Sequence, residues 1–207
     1  MNSLRIMTGQ EPNADWQLLA DLYQNFAHGE GSSALVTPAA LQSAVRRQEP
    51  GYHLAMIENH GFIAWTDHPA QPVEILDLFI ECAVRGQGLA QRALNHLIQV
   101  EVPEHKLRVA VAHQNKTARS FYTKLGFEEL SVQLLFPQPN LNQATRSYYD
   151  VESDAWLPAT WPTMPSTAAE LDDVVAQGAR RVWIDRSITT PSNWPRHPFA
   201  CCYQLGT

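Results

Sequence analysis

The chain has 207 residues, 44% of them hydrophobic, and a formal net charge of −6 at pH 7. This length is sufficient for one domain with a sizeable core, or for one domain and an appendage. The acidic balance argues against nucleic-acid binding and slightly favours cationic partners. The sequence has no apolar run of about 18 residues to span a membrane, and its N-terminus lacks the apolar region of a signal peptide.

The three cysteines, Cys82, Cys201 and Cys202, have neither metal-ligand spacing nor the even number of a disulfide set. We therefore expect no metal site and a reducing, cytoplasmic location. The sequence does not indicate an oligomeric state and leaves a homodimer open.

The first part of the chain reads as one strand, two helices and three further strands. The predicted elements are a strand at 4–7, helices at 15–27 and 38–47, and strands at 52–58, 61–66 and 73–80. Asn13 or Asp15 is a candidate N-cap for the first helix, and Thr37 before Pro38 for the second. Asn59-His60-Gly61 predicts a hairpin between the second and third strands.

A turn with two glycines and an arginine joins the strand at 73–80 to a predicted helix at 89–100. A glycine turn between a strand and a helix start offers several backbone N–H groups to a phosphate. No Gly-Lys-Ser/Thr sequence follows, which excludes a P-loop. A dinucleotide fingerprint is excluded because residue 91 is Gln and no carboxylate follows the next predicted strand, 107–111.

A second motif runs from Asn115 to Phe127 and follows that strand. Asn115 suits an N-cap, and Ala118, Phe121, Tyr122 and Leu125 form one apolar face. Gly126 predicts a left-handed cap that returns Phe127 onto the last helical turn.

These two motifs, Arg85-Gly86-Gln87-Gly88-Leu89-Ala90 and Asn-x-x-Ala-x-x-Phe-Tyr-x-Lys-Leu-Gly-Phe at 115–127, resemble those of the GNAT superfamily of acyl-coenzyme A N-acyltransferases. The resemblance covers about residues 1–150. It implies an α/β fold with a mixed, mostly antiparallel central sheet flanked by helices. It also implies an N-acetyltransferase that uses acetyl-CoA as co-substrate and acetylates a primary amine of a small molecule. Two alternatives stay open: acetylation of a protein or peptide amine, and a non-catalytic coenzyme A-binding sensor.

The resemblance also implies roles for individual residues. Main-chain groups of Phe79, Ile80 and Cys82 would hold the pantetheine arm, although Cys82 stands where many members have proline. The loop 85–90 would bind the pyrophosphate through Arg85, Gly86, Gln87, Gly88, Leu89 and Ala90. Asn115 would contact the pantetheine or serve only as an N-cap. Tyr122 matches the general acid of the family, the alternative being a core tyrosine.

The general base is expected among the acids of the strand at 73–80. Asp77 interrupts an otherwise apolar segment, and a carboxylate there is costly unless it is used or paired. The segment resembles the Leu-Glu-Asp-Phe-Phe-Val type of polyamine and diamine acetyltransferases, except that Leu76 replaces the first acid. Glu74 is the second candidate, on the opposite side of the strand unless a bulge intervenes.

We divide the chain into a GNAT-like domain, 1–150, and an aromatic-rich C-terminal extension, 151–207, that packs on the domain or covers its acceptor site. Residues 152–207 contain four of the six tryptophans. Strands are predicted at 131–136, 145–151 and 181–185, and a helix at 167–177. An alternative makes 199–205 the last strand of the sheet and 139–196 an insertion.

Overall fold

A computed structural model describes residues 4–29, 36–47, 51–67, 72–103, 105–135, 181–185 and 200–205. The chain divides into two compact units, here called the N-terminal unit, which ends at Arg108, and the C-terminal unit, Val109–Leu205. The predicted domain boundary at residue 150 lies outside the described residues.

The N-terminal unit follows the predicted order of elements. These are β1 (Arg5–Ile6), α1 (Asn13–Gly29), α2 (Pro38–Arg47), β2 (Tyr52–Ile57), β3 (Gly61–Thr66), β4 (Val73–Ile80), a 3-10 helix (Cys82–Val84), α3 (Leu89–His96) and a π-helical turn (Leu97–Glu101). The strands β1 to β4 pair in chain order, each antiparallel to the next. The predicted Thr37 cap is confirmed, since its Oγ1 accepts the Ala40 N–H at 3.2 Å.

The core of this unit lies between the helices α1 and α2 and one face of β2 to β4. Trp16, Leu19 and Leu22 of α1 are almost fully buried, as are Leu54 of β2 and Phe62 of β3. Helical spacing in α1 and alternation in the strands place these side chains on facing surfaces. Any group that β4 presents on this face therefore lies beneath the helices.

The C-terminal unit is built around one strand with two neighbours. Its elements are β5 (Leu107–Ala112), which crosses from the N-terminal unit, α4 (Lys116–Lys124), β6 (Glu128–Leu135), β7 (Arg181–Asp185) and β8 (Ala200–Leu205). Both β7 and β8 pair antiparallel with β6.

These strands test the predictions for the second half of the chain. β7 has the predicted bounds, β8 corresponds to the alternative last strand at 199–205, and β6 begins before the predicted residue 131. The elements predicted at 145–151 and 167–177 lie outside the described residues. Every strand pairing within either unit, where described, is antiparallel. The predicted α/β class with a mostly antiparallel sheet and flanking helices is confirmed.

Candidate active site

The predicted pyrophosphate loop connects β4, through the 3-10 helix, to the first turn of α3. Gly86 and Gly88 have φ angles of 81° and 76°, in the left-handed region that side chains other than glycine rarely adopt. A Cβ atom at Gly86 would meet nothing within 4 Å, whereas one at Gly88 would lie 3.4 Å from Arg92 Nη1. The backbone at Gly86 and Gly88 thus carries no side chain directly before a helix start, where backbone N–H groups lack intrahelical acceptors. This arrangement suits a pyrophosphate.

Arg85 is anchored to the end of β4. Its Nε donates a 2.9 Å hydrogen bond to the Ile80 carbonyl, and its guanidinium carbon lies 5.9 Å from the Phe79 ring centroid. The contact of the Ile80 main chain with the pantetheine arm stays a prediction. Phe79 and Ile80 are buried, and Cys82 is exposed.

A β-bulge places both candidate bases on one face of β4. Ala64 of β3 is paired with Asp77, but the next residue, Trp65, is paired with Ile75, so Leu76 is the extra residue. Thr66 is paired with Glu74. Since Ala64 and Thr66 share a face of β3, their partners Asp77 and Glu74 share the corresponding face of β4. The bulge therefore brings Glu74 to the same side of the strand as Asp77.

Asp77 lies beside a pair of hydrogen-bonded tyrosines that the sequence did not single out as functional. The Tyr23 hydroxyl of α1 donates to Asp77 Oδ2 at 3.4 Å and lies 3.3 Å from the Tyr52 hydroxyl. The Tyr23 ring stacks on Phe62 with 3.7 Å between centroids, which fixes the direction of its hydroxyl. Burial raises the pKa of Tyr23 well above its usual value and that of Tyr52 to about 12. Both hydroxyls therefore remain protonated at neutral pH.

Glu74 is buried, with 7% of its surface exposed. Burial raises the pKa of its carboxyl to about 7, although the positive charge of Arg108 opposes the shift. A carboxyl with this pKa exchanges its proton near neutral pH, which is the property required of a general base.

In the C-terminal unit, α4 has the predicted caps. Asn115 Oδ1 accepts the Ala118 N–H at 3.0 Å, which confirms its N-cap role. Gly126 has a φ of 87°, and the N–H groups of Gly126 and Phe127 bond the carbonyls of Thr123 and Tyr122 at 3.1 Å each. These two bonds make the Schellman cap that the sequence indicates.

Tyr122, the predicted acid, is 4% exposed and packs edge-on against Phe121 and Phe127 with 5.2 Å between ring centroids. Its ring thus belongs to the apolar face of α4, and its part in catalysis stays a prediction. The same holds for the pantetheine contact of Asn115.

A polar network on the same helix ties α4 to β6 and β8. Arg119 donates from Nε to the Tyr203 hydroxyl at 2.9 Å, and that hydroxyl donates to Glu129 Oε2 at 3.0 Å. The Arg119 guanidinium lies 3.4 Å from the same carboxylate oxygen. Burial raises the pKa of Tyr203. The helix that presents Tyr122 is therefore held by a charged and largely shielded contact.

Neither a metal site nor a membrane span is found in the part of the chain that the structure describes. No three or more His, Cys, Asp or Glu residues are grouped there as metal ligands. None of its helices has the length and apolar character that crossing a bilayer requires.

Comparison with known proteins identifies the fold. The model of the acetyltransferase (GNAT) family matches residues 16–127, more than half of the chain. The chain belongs to the GNAT family. Acetyl-CoA is the acyl donor of GNAT acetyltransferases, and the open glycine loop fits its pyrophosphate.

The GNAT fold recurs in solved structures of low sequence identity. A putative acetyltransferase from Salmonella typhimurium, solved with acetyl-CoA, has 18% identity and a TM-score of 0.50 over 68% of this chain and 88% of its own. A ribosomal-protein-alanine N-acetyltransferase from Brucella melitensis has 18% identity and a TM-score of 0.50 over 66% and 92%. A probable acetyltransferase from Staphylococcus epidermidis has 16% identity and the same score over 68% and 93%. No curated protein matches the chain.

Sequence reasoning missed three side chains around the predicted site: Tyr23, Tyr52 and Arg92. Tyr23 and Tyr52 follow the apolar periodicity of their elements and carry no separate signal. Arg92 does carry one, because it lies one helical turn after Gly88 and so at the loop itself.

Proposed function

We propose that this protein is an N-acetyltransferase that moves the acetyl group of acetyl-CoA to a primary amine of a small molecule. The observation that carries the proposal is Asp77, held by the Tyr23 hydroxyl on the helix-covered face of β4. A carboxylate beside tyrosine hydroxyls attracts a protonated amine and can accept its hydrogen bonds. The same strand leads directly into the glycine loop, so one element serves both substrates.

The reaction assigns a separate task to each group. The amine first gives a proton to Asp77 or Glu74, and its nitrogen then attacks the thioester carbonyl carbon. The bulge at Leu76 frees main-chain groups of β4 from the strand ladder, and a freed N–H is a candidate donor to the oxyanion. As the C–N bond forms and the C–S bond breaks, the Tyr122 hydroxyl gives its proton to the departing thiolate. The nitrogen loses its second proton to solvent, and the Tyr122 phenolate takes one back from solvent. The products are the acetamide and the free thiol of coenzyme A.

An amine panel assayed by free thiol release tests the proposal. The panel contains small primary amines and short peptides with free N-termini, and mass spectrometry identifies the acetylated product. We expect turnover with at least one small amine, and its loss in Asp77→Asn. Turnover with peptides alone would support the peptide acetyltransferase instead. Coenzyme A binding without turnover on any amine would support the sensor.

A further inference from the structure

The turn between β2 and β3 has an unusual residue in a strained position. Glu58 and Asn59 have φ angles of 47° and 62°, and the His60 N–H bonds the Ile57 carbonyl at 2.8 Å. This is a type I′ turn, whose central positions favour Asn, Asp and Gly. A longer side chain with positive φ is uncommon, so a glutamate at residue 58 calls for a reason beyond the backbone.

The Glu58 side chain reaches the helix that follows the glycine loop. Its Oε1 lies 3.1 Å from Arg92 Nη2, and Arg92 Nη1 donates a 2.8 Å hydrogen bond to the Gln87 carbonyl. The Gln87 carbonyl therefore points towards the guanidinium of Arg92. The carbonyl of Gln87 would otherwise be free to face, and repel, an anion bound at the loop.

The same turn also contacts the chain just before the loop. His60 Nδ1 lies 2.9 Å from Glu81 Oε2, and the Glu81 N–H bonds the His60 carbonyl at 2.9 Å. Glu81 directly precedes the 3-10 helix that begins the loop. Residues 58–60 therefore contact the chain before the loop through Glu81 and the helix after it through Arg92.

We propose that residues 58–60 form a brace that presets the loop for acetyl-CoA, with Glu58 and Arg92 as positioning residues. The inference rests on the proposed placement of the pyrophosphate at residues 85–90. A loop already fixed in its binding conformation loses less conformational freedom when the ligand binds. The brace therefore acts on coenzyme A affinity and not on the acceptor.

Glu58→Asn separates this role from a structural one. Asparagine is favoured in a type I′ turn, so the melting temperature is expected to stay unchanged or to rise. The substitution removes the partner of Arg92, and the dissociation constant of coenzyme A, measured by calorimetry, should rise about twofold to fivefold, as for exposed ion pairs. Binding of pantetheine, which lacks the pyrophosphate, should not change. Arg92→Gln also loses the charged hydrogen bond to Gln87, so about tenfold weaker binding is expected.

A second exposed ion pair in the same unit provides the matched control. Arg5 Nη1 lies 2.8 Å from Asp15 Oδ2, away from the loop in sequence. Asp15→Asn breaks this pair and should leave both dissociation constants unchanged.

Gly88→Asp distinguishes failure of the brace from failure of the loop assignment. Weak coenzyme A binding in Gly88→Asp with normal binding in Glu58→Asn would overturn the brace alone. Normal binding in Gly88→Asp as well would overturn the pyrophosphate placement.

Tighter binding in Glu58→Asn would mean that Arg92 faces the phosphate directly. If Glu58→Asn lowers the melting temperature and weakens the binding of coenzyme A and pantetheine equally, Glu58 has only a structural role. Either of these last two results would overturn the brace.

Discussion

Glu74 and Asp77 lie on the same face of β4, although residues three positions apart lie on opposite faces of a regular strand. The bulge at Leu76 makes the difference. The two carboxyl groups are distinguishable, because Asp77 accepts a tyrosine hydrogen bond while Glu74 is buried with a raised pKa.

Asp77→Asn should lower kcat/KM for the amine by about a hundredfold and leave coenzyme A affinity intact. The neutral amide neither attracts an ammonium group nor accepts its proton. Tyr23→Phe is the matched control, since it removes one hydrogen bond to Asp77 and should cost about threefold to tenfold. Equal losses in acceptor turnover and coenzyme A binding would argue against an acceptor role. The measurements are steady-state kinetics and calorimetry.

Glu74→Gln should stabilise the protein at high pH. Below the pKa of about 4.3 in the unfolded chain, both states are protonated and the carboxyl has no effect. As the pH rises towards the folded value of about 7, the unfolded state ionises first, and the wild type loses stability. The variant cannot ionise, so its advantage should grow to about 4 kcal/mol well above pH 7. Urea unfolding at pH 4 and pH 8.5 measures it, and an equal difference at both pH values would contradict the raised pKa.

The pH profile of kcat/KM should show which acid is the base. If Glu74 takes the proton, activity rises with pH through about 7, where its carboxyl ionises. The rise should then disappear in any residual activity of Glu74→Gln. A profile with the same midpoint in this variant would contradict Glu74 as the base.

Much of the site could be predicted because its signals are local. The glycines of the loop, the caps of α4 and the Thr37 cap are each set by residues within one turn of one another. The sequence could not decide whether β4 contains a bulge. A bulge depends on how β4 aligns with β3, and the sequence of one strand does not specify its register. Tyr23 and Tyr52 were missed for a related reason. Tyr23 bonds Asp77 from a distant segment, Tyr52 bonds Tyr23, and each satisfies the apolar pattern of its own element.

Tyr122→Phe should lower kcat by about tenfold to a hundredfold with little change in coenzyme A affinity, if its hydroxyl protonates the thiolate. The ring packs between Phe121 and Phe127, and phenylalanine preserves this packing. Wild-type turnover in the folded variant would make the hydroxyl structural.

Removal of residues 152–207 should prevent the C-terminal unit from folding, because it deletes β7 and β8, the two described neighbours of β6. Circular dichroism and coenzyme A titration measure the outcome. A folded truncate that binds coenzyme A but has lost acceptor selection would support the extension as a cover for the acceptor site. A folded truncate with unchanged acceptor kinetics would contradict both expectations.

The position of β8 near the end of the chain also affects folding during translation. Glu128 at the start of β6 pairs with Gln204 in β8, so β6 is synthesised long before its partner exists. In the N-terminal unit, by contrast, β1 to β4 pair with their neighbours in sequence, so each of these strands has its partner once β4 has emerged from the ribosome. During translation, β6 therefore waits with an unpaired edge that attracts other strands. We therefore expect the chain to be most prone to aggregate after residue 135 and before residue 205 has been synthesised, above all when synthesis is slow or interrupted there.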